Sequence, residues 1–209
     1  MSKLKMNTRD KILDQSLKMF NERGIEYVGL RELAAILEIR VGNISYYFPT
    51  KDDLVYELSQ ELSKSNATLL RERESLTMIG FLEILHKVFL NHVKFRCLLL
   101  SVVHLIQQNK HLAAAYKKTQ STRNSTIQSN LAVLQKGGYI KIDYDEQMEF
   151  LVANLSLISR FWISEAAISF RQMSEADQIS YYLKHVVQLF FPYATAKGKK
   201  EMQLFVQDL

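Results

Sequence analysis

Apolar side chains recur every three or four residues along most of the chain, the period of an amphipathic helix and not of a strand. Ile12, Leu13, Leu17 and Phe20 share one face of a predicted helix over 8–23, which Asn7 or Thr8 can cap and Gly24 stops. Leu33, Ala34 and Leu37 mark a second helix over 30–37, and a third covers about 40–48 until Pro49 ends it. Thr50, followed three positions later by Asp53, is a capping box that opens a long helix to about Glu74. Longer helices are predicted over 77–94, 96–108, 110–136, 146–172 and 175–191. Lys136-Gly137-Gly138 gives one of them a glycine stop, and Ser174 with Asp177 caps the start of another. The tail, Lys197 to Lys200 then Met202 to Leu209, fits either a short amphipathic helix docked on the body or a frayed end.

Proline and glycine sharpen the class. Only Pro49 and Pro192 occur, so 142 consecutive residues lack proline, and Gly80 is the one glycine between Gly42 and Gly137. Strand-rich folds need turn signals every 8–12 residues or so, and those signals are missing. The chain is predicted to be all-α, with a three-helix head at 1–49 and a larger helical body at 50–209.

Composition narrows the function classes. The 209 residues are 47% hydrophobic and 23% charged, as in an ordinary globular chain. The net charge of +5 is uneven: residues 1–51 hold nine basic and six acidic side chains, a net of +3. A basic head suits a nucleic-acid partner. Cys97 is the single cysteine, so no internal disulfide forms. The N-terminus has no apolar stretch of signal-peptide length, and the run Cys97–Ile106 is broken by Ser101 and His104, short of the ~18–20 residues that span a bilayer. A cytoplasmic location with no membrane partner is expected.

The segment Leu30 to Phe48 has helix-turn-helix spacing. Ala34 is small enough for a close helix crossing, and Ile39 and Ile44 plug the gap between the helices. Arg40, Val41, Asn43, Tyr46 and Tyr47 are then free to enter a major groove. Spacing alone also fits a small helical bundle with incidental polar faces.

Thr8-Arg9-Asp10-Lys11-Ile12, Phe20 to Gly24, Leu30-Arg31-Glu32-Leu33-Ala34 and Gly42 to Leu54 together resemble the DNA-binding signature of the tetracycline-repressor (TetR) family. The resemblance covers about residues 8–54 and joins the helix-turn-helix to both flanking helices; the rest is similar in helical layout. It implies a homodimeric, ligand-responsive transcriptional regulator, most simply a repressor, whose partners are a palindromic double-stranded DNA operator, a second copy and a small-molecule effector. By position, Tyr47 and Lys51 match phosphate-clamping residues, and Thr50 would aim a helix N-terminus at a phosphate. Arg31 matches a residue that reaches a phosphate or a guanine edge. Arg40, Val41, Gly42 and Asn43 would read bases, Arg suiting guanine and Asn adenine; Tyr46 would partly replace an aromatic. Three positions depart from the pattern. Glu38 stands where the turn usually has glycine, Gly29 where threonine usually precedes the second helix, and Ser45 where the first aromatic of the tyrosine run is usual. They bear on the operator sequence more than on the fold.

In the body, helix 146–172 is apolar nearly all round. One stripe holds Met148, Leu151, Val152, Leu155 and Ile158, the other Phe150, Leu157, Phe161 and Ile168. One stripe must be ordinary core, and a helix apolar on both sides needs a second partner. Leu151, Leu155 and Ile158, with Tyr182, Val186 and Phe190 of the next helix, are the expected dimer interface. The expected effector pocket draws on Phe89, Phe95, Leu99, Val103, His104, Tyr116, Phe161 and Trp162, with Leu131 and Leu134, although each aromatic also suits plain core. His104 fits a core histidine, a ligand contact or a surface residue.

Catalysis has little to stand on. There is no glycine-rich phosphate loop, no His-Glu-x-x-His and no cysteine pair, and His86, His92, His104, His111 and His185 lack helical metal-ligand spacing. No catalytic residue, metal or cofactor is expected. Cys97 suits a small buried apolar side chain, and the acids near 143–146 suit helix capping. A helical interaction module whose head has lost DNA binding is the competing reading, favoured only by Glu38 and Ser45.

Overall fold

The computed structural model describes residues 7–209, which are helical throughout apart from turns and one isolated antiparallel bridge, Ile140 with Ala194. Eleven α-helices are present among the described residues: α1 Thr8–Arg23, α2 Leu30–Ile36, α3 Val41–Tyr47, α4 Lys51–Leu70, α5 Met78–Lys94, α6 Arg96–Leu100, α7 Val102–Gln108, α8 Lys110–Lys136, α9 Asp145–Ser169, α10 Glu175–Phe190 and α11 Ala196–Gln207. They fall into two compact units. One comprises residues to Ser63 with Phe95–Ala115, the other Lys64–Lys94 with Tyr116–Leu209, so α4 and α8 each contribute to both.

The caps form as their sequences direct. Asn7 accepts the Asp10 amide at 2.9 Å, and Ser174 accepts that of Asp177 at 3.2 Å. At the start of α4 the Thr50 amide donates to the Asp53 carboxylate (2.9 Å), and the Asp53 amide donates back to Thr50 Oγ1 (3.2 Å). The predicted helix over 96–108 is two helices. Ser101, with φ −99° and ψ 7°, leaves the helical region and separates α6 from α7.

In the first unit, α1, α2, α3 and the start of α4 close around Ile12, Phe20, Leu33, Ala34, Ile44, Phe48, Leu54 and Leu58, with Phe95, Cys97 and Leu98 joining the same core. Arg9 pairs with Glu57 and lies over the Phe48 ring at 5.3 Å, which ties α1, α4 and the end of α3 together. Asn21 accepts the Cys97 amide at 3.0 Å. Burial raises the Cys97 thiol to a pKa of about 12, so it stays protonated and inert.

In the second unit, α5 packs on α9, α10 and α11, and α9 packs on α10. Phe81 meets Phe190 edge to face at 5.7 Å, and Phe89 stacks on Trp162 at 4.9 Å. The tail is an ordered helix. Thr195 caps α11, donates to the Gly138 carbonyl at 2.7 Å, and takes its place beside Tyr139. By length and composition alone α9 could cross a membrane, at a mean hydropathy of 1.2, yet one side of it is packed against α5 and α10.

Candidate functional site

The turn between α2 and α3 is a Schellman motif. The Ile39 amide donates to the Ala34 carbonyl (3.0 Å) and the Glu38 amide to that of Ala35 (3.2 Å). That geometry puts Glu38 at φ 54°, the left-handed region that glycine tolerates best. The chain then enters α3 through Arg40, whose extended backbone makes it the N-cap and not the first helical residue.

Helix α3 buries Ile44 completely and presents the residues around it. Arg40, Val41, Gly42, Asn43, Tyr46 and Tyr47 are all exposed, Tyr46 at 79%. The Tyr46 and Tyr47 rings meet edge to face at 5.0 Å. Arg31 and Thr50 are exposed as well, and Lys51 is half-buried. Lys51 Nζ donates to the Ile25 carbonyl at 2.9 Å, fastening the loop before α2 to the start of α4. Three large hydrophobic residues, Val41, Tyr46 and Tyr47, therefore stand in solvent on a seven-residue helix whose inner face is already filled. Such a surface is suited to entering a groove, where polar side chains reach base edges and apolar ones meet thymine methyls.

Residues 59–202 match the family described as bacterial transcriptional repressor, and residues 12–58 match the bacterial regulatory proteins of the tetR family. The chain belongs to the TetR family of bacterial transcriptional regulators. The probable HTH-type transcriptional regulator YttP of Bacillus subtilis is 32% identical over 88 residues, a match to 37% of this chain and 42% of that protein's length. A TetR-family transcriptional regulator from Marinobacter aquaeolei has a similar structure, with a TM-score of 0.88 at 25% identity over 97% of this chain and 98% of the other. Salmonella enterica GusR shares the fold at a TM-score of 0.65 and 17% identity, over 90% and 98% of the two chains.

In this TetR-family chain the expected dimer residues need correction. Leu151, Leu155, Val186 and Phe190 are each fully buried in the single chain, Tyr182 is nearly so, and Ile158 is half-buried. They are the inner face of α9 and α10, held there by the packing of these helices on each other and on α5. The stripe that faces out is the other one, with Phe150, Leu157 and Ile168 exposed, Phe161 half-buried and Tyr181 of α10 exposed beside it.

The expected pocket residues divide between the units. Phe95 and Leu99 are buried in the first unit, where Val103 and His104 are exposed. Phe89, Tyr116, Phe161 and Trp162 belong to the second, with Leu131 and Leu134 buried there. There Trp162 Nε1 donates to His92 Nδ1 at 3.0 Å, and His92 Nε2 lies 3.3 Å from the Asn66 side-chain amide. Burial, and then the nearby charge of Arg123, lower the His92 pKa to about 3, so the ring is neutral. An open groove of about 510 Å³ between α4 and α5 is lined by Ser65, Thr68, Leu69, Lys87, Leu90 and Asn91, none of them expected from the sequence. Sequence reasoning missed His92, whose partners lie 26 and 70 residues away and leave no local spacing signal. It also missed Arg9, which sat inside the quoted family motif without a partner until the fold supplied Glu57.

Proposed function

We propose that the protein is a homodimeric repressor that binds a palindromic operator in the cytoplasm and releases it when a small molecule occupies the body. The observation that carries this reading is the exposed row Arg40, Val41, Gly42, Asn43, Tyr46 and Tyr47 on a helix whose other side is sealed by Ile44. Arg40 and Asn43 read bases. Tyr47, Thr50, Lys51 and Arg31 hold phosphates, Lys51 through the donors its bond to Ile25 leaves over. Two heads must follow a two-fold axis to read a palindrome, with recognition helices about 34–36 Å apart. The outward stripe Phe150, Leu157 and Ile168, with Tyr181, is the surface that pairs with a second copy, since a row of exposed apolar side chains on one helix calls for a cover. The effector binds in the second unit near Phe89, Tyr116, Phe161 and Trp162. An effector that prefers the non-operator state 100-fold weakens operator binding by about 2.7 kcal/mol.

The test is fluorescence anisotropy on DNA from upstream of the protein's own gene, across salt concentrations. Tight binding with a steep salt dependence is expected, and Lys51→Ala should lower the log–log slope by about one unit. Binding that is no tighter than to random DNA would instead favour an interaction module whose head has lost its operator.

A further inference from the structure

Helix α8 carries several polar side chains that turn inward and find no partner. Nε and Nη2 of Arg123 are buried without a hydrogen-bond acceptor among the described residues, as are the Tyr116 hydroxyl of the same helix and Nε of Arg160 on α9. Tyr116 and Arg123 are seven residues apart and so share a face of α8. The Arg160 guanidinium lies 5.6 Å from the Tyr116 ring centre and 5.7 Å from that of Phe161. Asn124, next to Arg123, accepts from Ser156 at 2.8 Å, and Ser156 precedes Arg160 by one turn, about 6 Å along α9. Arg123 is also close enough to His92 for its charge to act on that ring. Arg160 thus meets Tyr116, Arg123 follows Tyr116 two turns along the same face of α8, and no carboxylate pairs with either arginine among the described residues.

Buried cationic donors without acceptors are costly, and a guanidinium fork matches the paired oxygens of a carboxylate or a phosphate, of which the singly charged carboxylate costs less to desolvate in an apolar body. The Arg160 guanidinium lies over the Tyr116 and Phe161 rings, and the stacked Phe89 and Trp162 rings supply apolar surface in the same unit. We propose that Arg123 and Arg160, with the Tyr116 hydroxyl, form the anion-holding end of the effector site, and that the effector is an organic carboxylate with an apolar or aromatic body. This rests on the ligand-responsive reading above and names the class of ligand. Trp162, the single tryptophan, hydrogen-bonds the same His92 that senses Arg123, so its emission reports on the site.

The experiment titrates the full-length protein with benzoate and octanoate and with their neutral amides, benzamide and octanamide, reading Trp162 emission and thermal stability. The carboxylates should bind at least tenfold more tightly than the amides. Arg123→Met and Arg160→Met should each lose about ten- to a hundredfold of carboxylate affinity, with amide binding unchanged. Arg123→Lys keeps the charge but not the fork and should lose less; it decides the matter if the methionine variant fails to fold. Equal affinity for acids and amides, no carboxylate binding to the folded wild type, or full affinity in the Arg123 variants overturns the proposal. So does an Arg160→Met protein that falls apart into monomers while keeping its carboxylate affinity, because that arginine is then paired across two copies. Operator binding is measured separately. Arginine-dependent carboxylate binding that leaves operator affinity unchanged upholds the carboxylate site but overturns its role as the effector site, whereas amides that release the operator as well as the acids uphold the ligand-responsive reading and overturn the carboxylate site.

Discussion

Trp162 donates its indole hydrogen to Nδ1 of His92 at 3.0 Å, deep in the core of the second unit. Indole nitrogen only donates, so Nδ1 must be bare and the ring proton must sit on Nε2, where the neighbouring Asn66 Nδ2 (3.3 Å) is itself a donor and gives it no acceptor. Protonating the ring would break this bond and place a charge in the core near Arg123. The unfolded histidine takes its proton near pH 6.5, the folded one only at about 3. The stabilisation is therefore complete above pH 6.5 and lost as pH falls through that window, by about 2–3 kcal/mol at pH 4.5. Chemical denaturation of the wild type and His92→Gln between pH 7 and 4.5 should give a clearly shallower loss for the variant. Parallel profiles would mean that His92 is not the group being titrated.

Glu38 occupies a left-handed position that its own side chain disfavours. Glu38→Gly should stabilise the protein by about 0.5–1 kcal/mol, the relief of a Cβ clash less the entropy of an added glycine. Denaturant unfolding read by circular dichroism tests this. A destabilised variant would show that the carboxylate makes a contact worth more than the strain.

The two stripes of α9 give opposite expectations. Leu155 is fully buried, so Leu155→Asp should destabilise the chain itself by burying an unpaired carboxylate. Leu157 is exposed in the single chain, so Leu157→Asp should leave the fold intact and dissociate the proposed dimer. Sedimentation and circular dichroism on both variants separate the two effects. A folded dimer of Leu157→Asp would remove the outward stripe from the interface.

Gly198 lies where α11 crosses Tyr139, and a Cβ there would sit 2.1 Å from the Tyr139 carbonyl oxygen. Gly198→Ala should cost about 1–3 kcal/mol through displacement of α11. Hydrogen exchange of α11 amides should accelerate in that variant, and unchanged protection would place the close approach elsewhere.

Much of this architecture was legible from spacing and punctuation. Asn7, Thr50 and Ser174 announce helix starts because a cap acts within three residues, and Gly24 and Gly138 announce stops because their positive φ is local. What escaped depends on partners far away in sequence. Helix α4 stops at Leu70 and not near Glu74, where Asn130, sixty residues on, donates to the Leu70 carbonyl at 3.1 Å. The break at Ser101 carries no proline or glycine to mark it. Which stripe of α9 turns inward is decided by α5 and α10, and the pattern of α9 alone is symmetric in that choice. The head was the most readable part, because its family motif spans the reading residues and the helices that support them. Arg123 and Arg160 carry no spacing signal in the sequence, and only the fold turns their nitrogens inward.

In the proposed function α3 reads DNA as one half of a two-fold pair. Selection of bound duplexes from a random pool, with wild type, Arg40→Ala and Asn43→Ala, tests it most directly. The wild type should enrich a palindrome with half-sites about one helical turn apart, and each variant should relax one symmetric base pair by about 1–3 kcal/mol. A pool with no enriched sequence, or an identical palindrome from all three proteins, would contradict it.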